Sequence, residues 1–101
     1  MPLALAMLVP AAHAADLNRA EQQRLVRLVR QDCGSCHGLT LKGGLGSPLL
    51  PAALADKPAE SLVATILQGR PGTAMPPWRG LLTEQETQWI VERLQAGFPQ
   101  D

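Results

Sequence analysis

Residues 25–37 read Leu25-Val26-Arg27-Leu28-Val29-Arg30-Gln31-Asp32-Cys33-Gly34-Ser35-Cys36-His37. The first part is amphipathic. Leu25, Leu28 and Val29 share one face at helical spacing, while Arg24, Arg27 and Arg30 follow at three-residue intervals on another. The pattern predicts a helix from about Arg19 to Cys33, with Asn18 and Glu21 as a capping pair at its start. The last five residues hold two thiols three positions apart and a histidine directly after the second. A structural zinc site needs four Cys or His ligands, and beyond residue 14 the chain has only Cys33, Cys36 and His37. A thioredoxin-like Cys-x-x-Cys opens a helix that follows a strand, whereas this pair closes a helix that no strand precedes. A plain disulfide leaves His37 without a role.

Cys-x-x-Cys-His is the attachment pattern for covalent haem c. Two thiols at this spacing reach the two vinyl groups on one porphyrin edge, and the adjacent imidazole meets the iron from one face. Cys33 and Cys36 are therefore expected as thioethers and His37 as the proximal ligand. The opposite ligand follows by elimination. Met1, Met7 and His13 lie in the leading segment, which leaves Met75 as the single methionine and His37 as the single histidine beyond it. Met75 sits in Gly72-Thr73-Ala74-Met75-Pro76-Pro77, where two prolines remove two N–H groups and hold the chain extended. Such a segment presents a thioether rigidly, and His/Met pairs serve the iron of cytochromes c. Lys42 and Lys57 are the alternative ligands. A thioether favours Fe(II) relative to a second imidazole, which suits acceptance of electrons from a quinol-linked donor.

Outward from these motifs the chain is helical. Ala59, Leu62, Val63, Ile66 and Leu67 form an i, i+3, i+4, i+7, i+8 stripe within a helix from about Pro58 to Gln68, with Gly69 as its stop. A third helix starts at Thr83, with Glu86 reaching back, carries Ile90, Val91 and Leu94, and ends at Gly97 and Pro99. Two loops dense in Gly and Pro, Gly34 to Leu50 and Gly69 to Leu82, separate the helices. Three helices with loops of this length do not easily close a core unaided, and wrapping a large flat apolar ligand would explain them.

The chain has 101 residues and nine basic and nine acidic side chains, a balance that points to neither nucleic acid nor an anionic membrane. Arg19, Arg24, Arg27 and Arg30 gather early and Glu84, Glu86 and Glu92 late, as expected of two solvated helix faces. Leu3 to Val9 is an apolar run followed by Pro10 and Ala12-His13-Ala14, the layout of a secretory signal cleaved after Ala14. The run is well short of the ~20 apolar residues of a membrane span. No Lys or Arg precedes it, which leaves a longer leader open. The expected organisation is a signal peptide over 1–14 and one domain over 15–101, exported to the periplasm, with no membrane span in the mature chain.

The order helix, Cys33-x-x-Cys36-His37, Gly-rich loop, helix, Met75-Pro76-Pro77, helix resembles the class I cytochromes c. The resemblance implies an all-α fold around one haem, with first and last helices crossing and the thioether edge open to solvent. It implies that a proline carbonyl accepts the Nδ1–H of the proximal histidine. Pro48 is the candidate, although Ser47 stands where the family more often has Gly. Arg70 and Trp78 flank the methionine loop and are candidates for bonding a haem propionate; the alternative for Trp78 is core packing. Trp89 and Phe98 stand near Arg93, where the family often has its aromatic, so the crossing is expected to pack differently. The runs Leu25–Leu39 and Gly69–Trp78 further resemble the small periplasmic cytochromes of denitrification gene clusters. That narrower match implies a monomeric one-electron carrier, not an enzyme, delivering electrons to a nitrite reductase containing haems c and d. The alternative it implies is a role in haem d biosynthesis or insertion. Docking is expected around Gly34, Ser35, Leu39 and the Met75 loop, with the basic first helix steering an acidic partner.

Overall fold

A computed structural model describes residues 17–99 of the chain. The expected signal peptide lies outside the described residues. All regular structure among the described residues is helical. Helix α1 (Arg19–Leu28) opens with the capping pair read from the sequence. Asn18 Oδ1 accepts from the Glu21 N–H at 2.8 Å, and Glu21 Oε1 accepts from the Asn18 N–H at 3.3 Å. These two bonds satisfy donors that a helix start otherwise leaves orphaned.

The helix does not stop at Cys33. Val29–Cys33 widens into a π-turn in which the Gly34 N–H reaches back to the Val29 carbonyl. The chain then stays helical as α2 (Gly34–His37) until Gly38, at φ 92°. Gly34 and Ser35 are weak helix formers, so local propensity predicts a loop there. The Ser35 hydroxyl bond to the Asp32 carbonyl, 2.9 Å, and the burial of Val29 and Gly34 carry the helix onward.

A one-turn helix α3 (Pro51–Leu54), with Pro51 in its first turn, buries Leu54. Gln95 holds it from below, its Nε2 donating to the carbonyls of Leu54 (3.2 Å) and Lys57 (3.0 Å). Helix α4 (Ala59–Gln68) buries Val63 and Leu67, and Leu62 and Ile66 are half-buried against the same core. Ala59, expected on the apolar stripe, is exposed, because the stripe leaves the core at the helix start. Helix α5 (Glu84–Ala96) repeats the capping arrangement of α1: Glu86 N–H to Thr83 Oγ1 at 3.0 Å and Thr83 N–H to Glu86 Oε1 at 2.9 Å.

α5 buries Thr87, Trp89, Ile90, Val91 and Leu94 and packs mainly on α4 and α3. It meets α1 through long side chains. Arg24 forms an ion pair with Glu86, so the early basic and late acidic clusters partly neutralise one another rather than forming two separate solvated faces. Trp89 and Phe98 meet edge to face, centroids 6.4 Å apart, in place of an aromatic near Arg93. Among the described residues no helix is long and apolar enough to cross a membrane.

Candidate haem site

The π-turn and α2 carry Cys33, Cys36 and His37 on consecutive helical backbone. Positions three apart on a helix share a face, so both sulfurs lie on one side of this turn. Both thiols are free; Cys33 is half-buried and Cys36 exposed. Burial, with smaller contributions from Asp32 and Cys36, pushes the Cys33 thiol up to about 11. Cys33 is therefore a neutral thiol at pH 7.

His37 ends α2, and its Nδ1 lies 2.7 Å from the Ser47 carbonyl oxygen. A carbonyl only accepts, so Nδ1 carries the proton and the lone pair of the neutral ring is on Nε2. Pro48, the acceptor expected from the sequence, does not fill that role; the preceding carbonyl does. The loop explains the difference. Gly43 and Gly46 donate their N–H groups to the carbonyls of His37 (2.8 Å) and Cys36 (2.7 Å), folding residues 38–47 tightly onto the end of α2. The Gly46 backbone lies so close to the imidazole that a Cβ there would sit 2.7 Å from Cε1 and Nδ1. Ser47 is the next residue along, while the Pro48 ring packs toward Gly43. Leu41, 2 % exposed with φ 62°, anchors the same loop, and its carbonyl accepts from the Leu49 N–H at 2.9 Å. A leucine in the left-handed region is strained, and burial of its side chain holds it there.

Met75 is half-buried in the second loop. Its carbonyl accepts from the Arg70 N–H at 3.1 Å, and its N–H donates to Thr73 Oγ1 at 3.3 Å. Beyond the prolines, Trp78 and Arg79 donate their N–H groups to the carbonyls of Ile66 (3.0 Å) and Leu67 (3.2 Å), clamping the extended segment to the end of α4. Gly69, at φ 70°, lies under this segment. A Cβ there would meet Pro76 C and Pro77 N at 2.7 Å. Arg70 is thus tied to Met75 through the backbone with its side chain exposed, and Trp78 is half-buried against the core. Lys42 and Lys57 are exposed.

Two grooves, of about 530 and 510 Å³, lie between α4 and α5 and beside α1 near Trp89 and Pro99. Neither is lined by Cys33, Cys36, His37 or Met75. Among the described residues no group of three or more His, Cys, Asp or Glu side chains is gathered to hold a metal ion alone. The donors instead are two thiols on one helical face, an imidazole with only Nε2 available, and a soft thioether on a fixed loop. That set fits a haem bound through two sulfurs and two axial ligands.

The family described as cytochrome c oxidase, cbb3-type, subunit III, matches residues 10–92. The chain belongs to the cytochrome c family. This cytochrome is 54% identical over 99 residues to cytochrome c55X of Pseudomonas aeruginosa, covering 96% of this chain and 83% of the relative. The solved structure of the c-type cytochrome NirC superposes with a TM-score of 0.79 at 56% identity, covering 81% of this chain and 96% of that one. A shorter match, 39% identity over 75 residues, relates 73% of this cytochrome to 15% of the dihydro-heme d1 dehydrogenase of Pseudomonas aeruginosa. The all-α fold is that of a small c-type cytochrome, the prosthetic group is covalently bound haem c, and the protein is an electron carrier.

Sequence reasoning singled out the motif residues and Met75 but not Ser47, Gly46, Gly69 or Arg30. For Gly46 the only signal was glycine itself in a loop, and Gly69 was read as a helix stop rather than as the floor of the Met75 segment. Arg30, expected on a solvated face, is half-buried.

Proposed function

We propose that this cytochrome is a periplasmic one-electron carrier of denitrification, donating to a nitrite reductase that contains haems c and d and taking electrons from a quinol-linked donor. Cys33 and Cys36 would hold the haem through thioethers, and His37 Nε2 and the Met75 sulfur would ligate its iron. The bound iron supplies a one-electron couple. The observation that carries the reading is the His37 Nδ1–H bond to Ser47, because it fixes the tautomer and leaves one nitrogen for a metal. Met75 supports it through its restraint: a loop clamped at Arg70, Trp78 and Arg79 presents a thioether with little freedom to leave. Ligation by both His37 and Met75 would leave the iron to carry electrons rather than to bind substrate.

Arg70, exposed beside Met75, is the residue assigned to a propionate, whereas Trp78 packs against the core. Docking uses Ser35, the Met75 loop and Leu39, which is 72% exposed; Gly34, expected on that surface, is buried in α2. Redox contacts of this kind are small and brief. Export follows cleavage after Ala14, leaving Ala15–Asp101 as the mature chain.

The test is spectroscopic. Haem in protein from the periplasm is expected to resist acid-acetone extraction, and Met75→Ala to lose the weak far-red sulfur-to-ferric band. A mutant that keeps the band removes Met75 from the site. The identity shared with part of a dihydro-heme d1 dehydrogenase favours a second reading, a role in maturing the haem d of the reductase. Nitrite reductase purified from a deletion strain with its full complement of haem d rules that role out.

A further inference from the structure

Arg30 lies three residues before Cys33, inside the π-turn, and its guanidinium binds two separated segments. Nη1 donates to the Leu39 carbonyl at 3.2 Å, two residues beyond His37. Nη2 donates to the Pro99 carbonyl in the C-terminal tail. The guanidinium carbon stands 5.6 Å from the Phe98 ring centroid, and Phe98 is itself held against Trp89 of α5. Nε is shielded and has no partner among the described residues. A buried donor left without an acceptor is costly, so the group is kept in place by its other contacts.

The partners Arg30 makes among the described residues are neutral, two carbonyls and a ring. Arg24, one helical turn and two residues earlier, is by contrast ion-paired to Glu86. Arg30 thus holds a positive charge that meets no acidic side chain among the described residues, fixed between the residues that precede Cys33 and those that follow His37.

We infer that Arg30 is a positioning residue of the redox centre: it clamps the C-terminal tail and the Leu39 segment to the Cys33–His37 turn and, as a fixed cation beside that turn, favours the reduced iron. The inference rests on the assignment of haem to Cys33, Cys36 and His37. A cation disfavours the more positive oxidation state, and partial burial keeps solvent from screening it fully.

The experiment compares the holoprotein with Arg30→Gln and Arg30→Lys. Haem content is checked by mass and Met75 ligation by the far-red band. The ferrous-to-ferric ratio at fixed ambient potential is read alongside hydrogen exchange of the Leu41 amide, which bonds the Gly38 carbonyl at 2.8 Å. Arg30→Gln is expected to lower the ferrous-to-ferric ratio by about three- to tenfold with the band intact, and to speed exchange at Leu41. Arg30→Lys keeps the charge but not the fork, so it should hold the ratio near the parent value while exchange still quickens. An unchanged ratio in Arg30→Gln overturns the inference. If Arg30→Gln does not mature, Phe98→Leu replaces it: faster Leu41 exchange supports the clamp and unchanged exchange overturns it. Parent protein without haem on the cysteines would instead sink the site assignment.

Discussion

A methyl group on Gly46 would occupy space already taken by the His37 imidazole, 2.7 Å from two of its atoms. Gly46→Ala must therefore push the loop away from α2 and break the Ser47 carbonyl contact. The overpacking should cost about 1–3 kcal/mol, measurable by denaturant unfolding. Its chemical signature is more specific. The Ser47 bond makes the imidazole a stronger donor, which stabilises Fe(III); losing it is expected to raise the midpoint potential. Ser47→Ala keeps the backbone carbonyl and should leave the potential where it was, so the pair separates main-chain from side-chain effects. Cys33, Cys36, His37 and Met75 could be proposed from the sequence because the argument for them lies in residue type and spacing. The acceptor for His37 could not, because moving it by one residue changes no composition. Only the bonds from Gly43 and Gly46 back to α2 decide which carbonyl arrives.

Among the elements, the starts of α1 and α5 were readable to the residue, since Asn18/Glu21 and Thr83/Glu86 each satisfy helix-end donors with local side chains. The π-turn was not readable, because nothing local distinguishes Val29–Cys33 from ordinary helix. α3 was missed because four residues are too few to show a period. The α5 cap makes a pH-dependent prediction. Burial opposes charge on Glu86, but the Thr83 N–H and the Arg24 guanidinium outweigh it and lower its pKa below the usual 4.5. A carboxylate whose pKa is depressed by folding stabilises the fold above its unfolded pKa and loses that contribution as pH falls through the folded value. Glu86→Gln keeps an acceptor for the Thr83 N–H but not the charge. It is expected to lower stability by about 0.5 kcal/mol at pH 7. The difference should shrink as pH falls below 4.5 and vanish once the parent carboxyl is protonated. Thr83→Ala removes the cap itself and should cost about 1 kcal/mol. Urea melts of the three proteins across pH check both statements.

At the scale of the molecule, the buried core is drawn very unevenly from the chain. The buried apolar side chains come from α1, the π-turn, α3, α4, α5 and Leu17; the two long loops supply only Leu41 and Leu82. Four leucines in or beside those loops, Leu39, Leu45, Leu50 and Leu81, are exposed. The loops are positioned chiefly by backbone bonds to Cys36, His37, Ile66 and Leu67 and by the His37–Ser47 contact. The sequence hinted at this division through Gly- and Pro-rich stretches, but it could not say that the first loop is fastened at Cys36 and His37 and the second at Ile66 and Leu67. Such a molecule is expected to have two levels of stability: a helical frame that packs on itself, and loops held chiefly by backbone bonds, which the proposed ligation by His37 and Met75 would steady. Local opening is easiest where few apolar contacts resist it. In the double variant Cys33→Ser, Cys36→Ser, which cannot form thioethers, amides bonded within α4 and α5 are expected to stay protected. Those of Leu41, Gly43, Gly46, Trp78 and Arg79 should exchange at least about tenfold faster than in the haem-bearing protein. Hydrogen exchange read residue by residue tests this. Equal loss of protection in frame and loops would mean that the helices have no packing sufficient to themselves, and that haem attachment organises the whole chain at once.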